Sequence, residues 1–229
     1  MSPEVILSAN VSHYYYAAQT LYKANILKSY ICAIAFTRNP SKAVKLLPEY
    51  WRNKITARSI TDIDPHLVHS IWLPELLQRG LPALRLTSEK RGNWLNDHIY
   101  DLFALRWVVP CDIFHSLPGI GLFSARKAKK TGAVIICDER QEHPDFQLDI
   151  LKEEYHRLGI FNPPSHSLSI NRIKTAYSES DYLILPSTYA KDTFINAGYP
   201  PEKIFVLPYG VDRNHFLRTE RKVNAQKDR

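Results

Sequence analysis

The densest group of chemically active side chains in the sequence directly follows an apolar run, residues 133–137. In order, the group comprises Asp138, Glu139, Arg140, Gln141, Glu142, His143 and Pro144. So polar a run at the end of a buried strand, with a proline suited to a first helical turn, predicts the lip of a cleft. Carboxylates and an imidazole there could bind a polar substrate and exchange protons with it. In a plainer interpretation, Asp138 and Glu139 cap a helix and His143 is a surface imidazole.

This polar run is one of four places where a predicted strand ends and a helix begins. The others are residues 9–13, 116–121 and 187–188. In an open parallel sheet, ligands bind outside the carboxyl ends of the strands, where helix N-termini also point. Asn10 and Ser12 are therefore candidates to line a cleft, as is Ser187. Ser12 and Ser187 are equally suited to capping the helices that follow them.

The loop at residues 119–124 has features of a dinucleotide-binding fingerprint. Gly119 and Gly121 follow a predicted strand and open a helix, and Asp138 ends the next strand. Against this interpretation, Pro118 lies in the turn and Ser124 replaces the third glycine. An NAD site is thus a less favoured alternative.

Short apolar runs alternate with amphipathic stretches of helical length along the chain, which is typical of a parallel sheet with helices on both faces. The predicted strands are residues 5–9, 30–36, 57–61, 112–116, 133–137, 182–185 and 204–207. The predicted helices are residues 14–28, 40–51, 69–79, 93–107, 122–131, 145–158, 167–178 and 188–197. Four glycines are predicted to end helices: Gly80, Gly132, Gly159 and Gly198. The sequence therefore predicts an α/β fold with a Rossmann-like parallel sheet.

The composition is that of a globular protein with a sizeable core. The chain has 229 residues, of which 45% are hydrophobic and 23% charged. No apolar run approaches the roughly 20 residues of a membrane-spanning helix, and Glu4 interrupts the first apolar stretch, so we expect a cytoplasmic protein without a signal peptide. The three cysteines, scattered and without a CxxC pair, predict free thiols and no metal.

The net charge of +7 is partly concentrated in two segments. One is the predicted helix with Arg126, Lys127, Lys129 and Lys130, and the other is the polar tail, residues 218–229. These segments are either solvated surface or attract anionic lipid headgroups or phosphorylated substrates, which would place the protein peripherally at the inner membrane face. We do not expect nucleic-acid binding, because no binding motif or interleaved aromatic accompanies the charge.

Residues 178–216 carry the most specific motif, SESDYLILPSTYAKDTFINAGYPPEKIFVLPYGVDRNHF. In order and spacing this segment resembles the crossover of two-domain glycosyltransferases of family 4, which have the GT-B fold. In that family, a D-x-hydrophobic run-P-S strand and a helix precede a hydrophobic run-P-x-G-V-D-x-x-x-F element that leads into a nucleotide-sugar domain.

The resemblance implies an acceptor-side Rossmann-like domain at residues 1–210, with the start of the interdomain crossover and a tail at residues 211–229. The donor domain would then lie outside this sequence. It also implies transfer of a sugar from a UDP- or GDP-sugar to a glycan, lipid or small-molecule hydroxyl, usually with retention of configuration and without a further cofactor. His143 would be the acceptor-side catalytic contact, and Asn10, Ser12, Asp138, Glu139 and Ser187 would line the cleft. The first loop departs from many relatives, because no glycine precedes Gly80.

Two function classes follow. The first is a glycosyltransferase half that is inactive without a donor domain. The second is a non-catalytic binding module, or one subunit of a split glycosyltransferase. Residues 206–212 favour a partner, because this bridge would otherwise leave an apolar surface uncovered.

Overall fold

Seven parallel strands form one sheet in the part of the chain that the structure describes. This computed structural model describes residues 2–11, 14–37, 49, 55, 58–162 and 164–210. The strands are β1 (Val5–Ala9), β2 (Leu27–Cys32), β3 (Val68–Ser70), β4 (Ile113–Ser116), β5 (Val134–Asp138), β6 (Tyr182–Leu185) and β7 (Ile204–Val206). Their order is β3-β2-β1-β4-β5-β6-β7, and every neighbouring pair is parallel. The direction of winding reverses between β1 and β4, as in doubly wound folds.

Seven α-helices lie in the same described ranges. They are α1 (Tyr14–Lys23), α2 (Leu73–Ala83), α3 (Glu89–Ala104), α4 (Leu122–Lys129), α5 (Pro144–Arg157), α6 (Ile170–Glu179) and α7 (Thr188–Asn196). Several begin where the sequence supplies a cap: Ser88 accepts the N–H of Arg91, and Ser187 accepts that of Ala190. Pro144 occupies the first turn of α5, where its missing N–H is not needed.

Helices cover both faces of the sheet, as the strand register shows. Leu7 of β1 lies beside His115 of β4, while the next residues, Ser8 and Ser116, pair with each other and face the opposite side. On the first face the ring of Tyr14, from α1, packs edge-on against His115. On the second face the hydroxyl of Tyr100, from α3, lies 3.5 Å from that of Ser8.

The core has two parts. The larger surrounds β1, β2 and β4, and its fully buried large side chains include Tyr30, Tyr100 and Phe114. The smaller surrounds β5, β6 and β7 and includes Leu185 and Phe194. Burial of such aromatic and branched side chains supplies the main favourable term in folding.

The predicted fold class is confirmed, and two strands, residues 5–9 and 182–185, have the predicted bounds. Several predicted bounds were wrong. Leu27 and Lys28, predicted to end the first helix, open β2, and β2 ends at Cys32 rather than at residue 36. Residues 69–70, predicted to start a helix, belong to β3 because they pair with β2. Within residues 58–61, the described part of the predicted strand 57–61, only a bridge from Ser59 to Phe36 forms. Gly80 lies inside α2 rather than at its end. The predicted helix 40–51 falls outside the described residues, apart from position 49.

Candidate active site

A polar cluster lies at the carboxyl edge of the sheet, beside the point where the winding reverses. His115 belongs to β4 and Asp138 to β5, which are neighbouring strands. In the parallel register His115 pairs with Ile136, so Asp138, two residues further on, projects from the same face. Open parallel sheets bind their ligands at this edge.

The imidazole Nε2 of His115 lies 2.9 Å from Oδ2 of Asp138. Both side chains are only 14% exposed, so the contact is shielded from most competing water. With Nε2 bound to the carboxylate, Nδ1 is the ring nitrogen left to meet a substrate. A histidine oriented in this way by a carboxylate is an arrangement suited to general-base catalysis. The sequence predicted Asp138 as a cleft residue but omitted His115.

Two tyrosines complete the surroundings of Asp138. Burial, followed by the nearby Asp138 carboxylate, raises the pKa of Tyr14 far above its usual value, so its hydroxyl stays protonated. Tyr209, in the segment that leaves β7, lies with its hydroxyl 3.5 Å from the carbonyl oxygen of Arg140. Its pKa is also raised, by burial and then by Asp138. The end of the described chain therefore returns to the edge where β4 and β5 end.

Glu139 has a different role from its neighbour Asp138. Its carboxylate accepts the backbone N–H groups of Arg140 and Gln141, at 2.6 and 3.0 Å, and the hydroxyl of Tyr177. Burial raises the pKa of this carboxyl group, and the three hydrogen bonds partly oppose that rise. The geometry makes Glu139 a support of the loop between β5 and α5.

His143 lies in this loop and is 4% exposed. Its Nδ1 accepts the N–H of Asp145 at the start of α5, and its own N–H donates to Thr193 Oγ1 at 2.9 Å. The ring packs against Tyr177, Phe194 and Tyr199. Burial lowers the pKa of the imidazole, which favours the neutral ring that this cap needs. The predicted catalytic contact of His143 stays a prediction; its side chain is 6% exposed, against 14% for that of His115.

The two other described site residues, Asn10 and Ser187, lie on different elements. Asn10 lines a cavity of about 410 Å³ next to the ends of β1 and β2. Ser187 caps α7, in agreement with the alternative that the sequence left open. Ser12 falls outside the described residues.

In the β4–α4 loop, considered above for dinucleotide binding, the backbone N–H groups at the start of α4 already bind a carboxylate of the protein itself. The Asp101 carboxylate accepts the N–H groups of Phe123 and Ser124 at the start of α4, at 2.7 and 3.0 Å. Arg172 pairs with this buried carboxylate and also donates to the carbonyl of Gly119. A pyrophosphate would need those same N–H groups, so the geometry disfavours the NAD alternative.

Among the described residues, no group of three or more His, Cys, Asp or Glu side chains could hold a metal ion. The described helices also include none with the length and apolarity needed to cross a membrane.

No family model and no curated protein matches the chain. Among solved structures, the N-terminal domain of Candida albicans trehalose-6-phosphate phosphatase is similar, with a TM-score of 0.51 and 13% identity over 94% of this chain and 50% of that one. A UDP-N-acetylglucosamine 2-epimerase from Rickettsia bellii matches with a TM-score of 0.45 and 13% identity, over 90% of this chain and 44% of that one. A lipopolysaccharide outer core galactosyltransferase matches with a TM-score of 0.39 and 14% identity, over 91% and 46%. The chain spans about half the length of these structures, and at such identities the likeness concerns the fold alone.

Proposed function

We propose that this chain forms the acceptor-side half of a GT-B glycosyltransferase, which transfers a sugar from a UDP- or GDP-sugar to a glycan, lipid-linked or small-molecule hydroxyl. The observation that carries the proposal is the motif at residues 178–216. Its described part forms β6, the Ser187 cap, α7 and β7, in the order that the family resemblance implies. The chain then leaves β7 beside Arg140, at the edge that holds His115 and Asp138.

Sugar transfer requires that an acceptor hydroxyl be held in place and lose its proton as the new bond forms. We propose that the His115–Asp138 pair accepts the hydrogen bond of that hydroxyl. In a retaining transfer, which the resemblance implies, the leaving diphosphate lies on the attacked face and is able to take the proton. In an inverting transfer the imidazole would take it. The configuration of the product therefore distinguishes an orienting role of His115 from a general-base role.

A second domain is needed to bind the nucleotide sugar, in the same polypeptide or in another chain. An apolar surface near the site supports such a partner: Phe205, Leu207 and Tyr209 are 55%, 60% and 58% exposed. Apolar side chains grouped in this way on a sheet edge are typical of interaction surfaces. A subunit of a split transferase, or a binding module, would use the same surface.

Membrane contact is a weaker part of the proposal. In α4, Arg126 pairs with Glu179 and Lys129 with Asp181, so half of this basic run already has acidic partners. These exposed pairs agree better with the solvated surface that the sequence left open than with a lipid-binding patch.

The test uses tagged chain purified under native conditions together with any associated donor domain. Radiolabelled UDP- and GDP-sugars are offered with lipid and glycan fractions as acceptors, and wild type is compared with Asp138→Asn and His156→Gln. His156, exposed on α5, is the matched control. Transfer that Asp138→Asn abolishes and His156→Gln preserves supports the proposal. Equal transfer by all three proteins overturns the proposal, as does a lack of transfer from every donor by a preparation that contains a donor domain.

Binding to the purified chain alone is a second test. Calorimetric titration with nucleotide sugars and NADH is expected to show no tight NADH binding, because Asp101 occupies the N–H groups of α4. A micromolar dissociation constant for NADH would instead support the dinucleotide alternative.

A further inference from the structure

The cavity of about 410 Å³ lies at the ends of β1 and β2, and β1 neighbours β4, the strand that carries His115. Its lining includes Asn10 after β1, residues 32–35 at the end of β2, and Glu75, Gln78 and Arg79 of α2. Tyr15 also lines it and directly follows Tyr14, whose ring contacts His115. A volume of this size holds a small ligand such as one or two sugar units.

Positively charged side chains outnumber negatively charged ones in the described lining of this cavity. Glu75, with a side chain 13% exposed, accepts both Nη groups of Arg58, at 2.7 and 3.2 Å. The same carboxylate lies 2.9 Å from Nη2 of Arg79. Among the described lining residues, two guanidinium groups thus face one carboxylate, which leaves one excess positive charge.

The two arginines are not equivalent. Arg58 is bound to Glu75 through both terminal nitrogens and is 29% exposed, so it is a fixed part of the wall. Arg79 shares only one oxygen of that carboxylate and is 65% exposed. Its planar group therefore has donors to offer to a second anion, and guanidinium binds carboxylate and phosphate in the same forked geometry.

We propose that this cavity binds the acceptor, and that the acceptor is a sugar bearing a carboxylate or phosphate group, which Arg79 binds. This inference rests on the proposed transferase function for its choice of a sugar. Glu75, Gln78 and Asn10 supply the hydrogen-bonding groups that a hydroxylated ring requires beside the anion. Because β1 lies between β2 and β4 in the sheet, a sugar in this cavity lies at the same carboxyl edge as His115 of β4 and Asp138 of β5.

The experiment measures binding of glucuronic acid, glucose 6-phosphate, glucose and inorganic phosphate to the chain by ligand-observed NMR. Arg79→Gln is compared with Arg91→Gln, which removes an exposed arginine of α3 that does not line the cavity. We expect one or both anionic sugars to bind at least tenfold more tightly than glucose, with Arg79→Gln removing that preference and Arg91→Gln preserving it. Because Arg79 is largely exposed, its substitution leaves the fold intact, and Arg79→Glu should weaken binding further.

The two anionic probes distinguish the charged group of the acceptor. Tighter binding of glucuronic acid indicates a sugar acid, and tighter binding of glucose 6-phosphate indicates a sugar phosphate. Equal binding of glucose and the anionic sugars, or an unchanged Arg79→Gln variant, overturns the inference. Inorganic phosphate that binds as tightly as glucose 6-phosphate overturns the sugar part of it. This experiment measures binding alone, so its outcome is independent of the transfer assay. An anionic sugar that binds at Arg79, together with a lack of transfer when a donor domain is present, would refute the proposed function but not this binding site.

Discussion

His115 and Asp138 are joined by a 2.9 Å contact across two neighbouring strands, although they are separated by the whole of α4 in the sequence. Both residues belong to strands rather than loops. Such placement on regular elements holds catalytic groups more precisely than loops do.

The first prediction concerns this pair. On the proposed function, His115→Gln and Asp138→Asn should each lower sugar transfer by the assembled enzyme, by about 10²-fold or more where the imidazole takes the proton and by less where it only orients the acceptor hydroxyl. The measurement is the initial rate at saturating acceptor, and His156→Gln should leave it unchanged. Since the two residues act as a unit, the double variant should lose little more than either single variant. A double variant whose rate falls by the product of the two single losses would show that the two residues act separately.

The second prediction concerns Glu139, whose pKa burial raises. The folded state then keeps this proton to higher pH than the unfolded chain does, so the group's contribution to stability is full below its ordinary pKa and is lost as pH rises through the raised value. Glu139→Gln removes that loss. The free energy of unfolding of the variant minus that of wild type should therefore increase from pH 4 to pH 7, by up to about 1.4 kcal/mol per pH unit within the window between the two pKa values.

Urea titrations at several pH values measure this difference. Glu153→Gln, which alters an exposed carboxylate of α5, is the control and should give a nearly constant difference. A Glu139→Gln difference that falls as pH rises would mean that the hydrogen bonds from Tyr177, Arg140 and Gln141 outweigh burial.

The third prediction separates two roles of His143. The ring fills a space among Tyr177, Phe194 and Tyr199, so His143→Ala should destabilise the fold by about 2–4 kcal/mol. His143→Asn keeps a side-chain acceptor for the N–H of Asp145 and should cost less. We expect the folded Asn variant to keep most of its transfer activity, because the ring is buried and positions the loop. A loss of more than about 100-fold in the folded variant would instead support the catalytic contact that the sequence predicted.

The sheet was predictable from the sequence wherever an apolar run had clear ends. Residues 182–185 lie between Asp181 and Pro186, and the strand has those bounds. By contrast β3 has only three residues, two of them polar, and forms because β2 pairs with it. No local pattern of period two could have revealed a strand so short.

The candidate site was only partly predictable for a related reason. Asp138 stood out because it ends an apolar run, whereas His115 lies within a predicted strand. The two meet only because β4 and β5 are neighbours with a particular register. That information belongs to tertiary structure, although a histidine within a predicted apolar strand was a signal worth pursuing. The Asp101 carboxylate at the start of α4 likewise depends on how α3 packs.

The fourth prediction concerns that carboxylate. Asp101 is fully buried, accepts two backbone N–H groups and pairs with Arg172, so Asp101→Asn leaves a buried guanidinium without its counter-charge. We expect a loss of about 3–5 kcal/mol in the free energy of unfolding. Glu179→Gln breaks the exposed pair with Arg126 and should cost less than about 1 kcal/mol. If the two variants lose similar amounts of unfolding free energy, the buried Asp101–Arg172 pair matters no more for stability than the exposed Arg126–Glu179 pair, and the prediction is wrong.

The fifth prediction concerns two glycines for which Ala substitution should have opposite effects. A Cβ at Gly121 would lie 2.4 Å from Oγ of Ser116 and 2.6 Å from its Cβ, so Gly121→Ala overpacks the β4–α4 turn and should cost about 1–3 kcal/mol. A Cβ at Gly80 meets nothing within 4 Å, and this glycine lies inside α2. Gly80→Ala should therefore stabilise the protein by up to about 1 kcal/mol through helix propensity.

Urea unfolding of both variants measures these changes, and a second substitution tests the cause assigned to the first. Ser116→Gly removes the atoms that the new methyl group would strike, so the Gly121→Ala cost should shrink in the Ser116→Gly background. An undiminished cost in that background would contradict the close approach to Ser116 as the cause, because the backbone of Gly121, with a φ of -125°, is open to any residue.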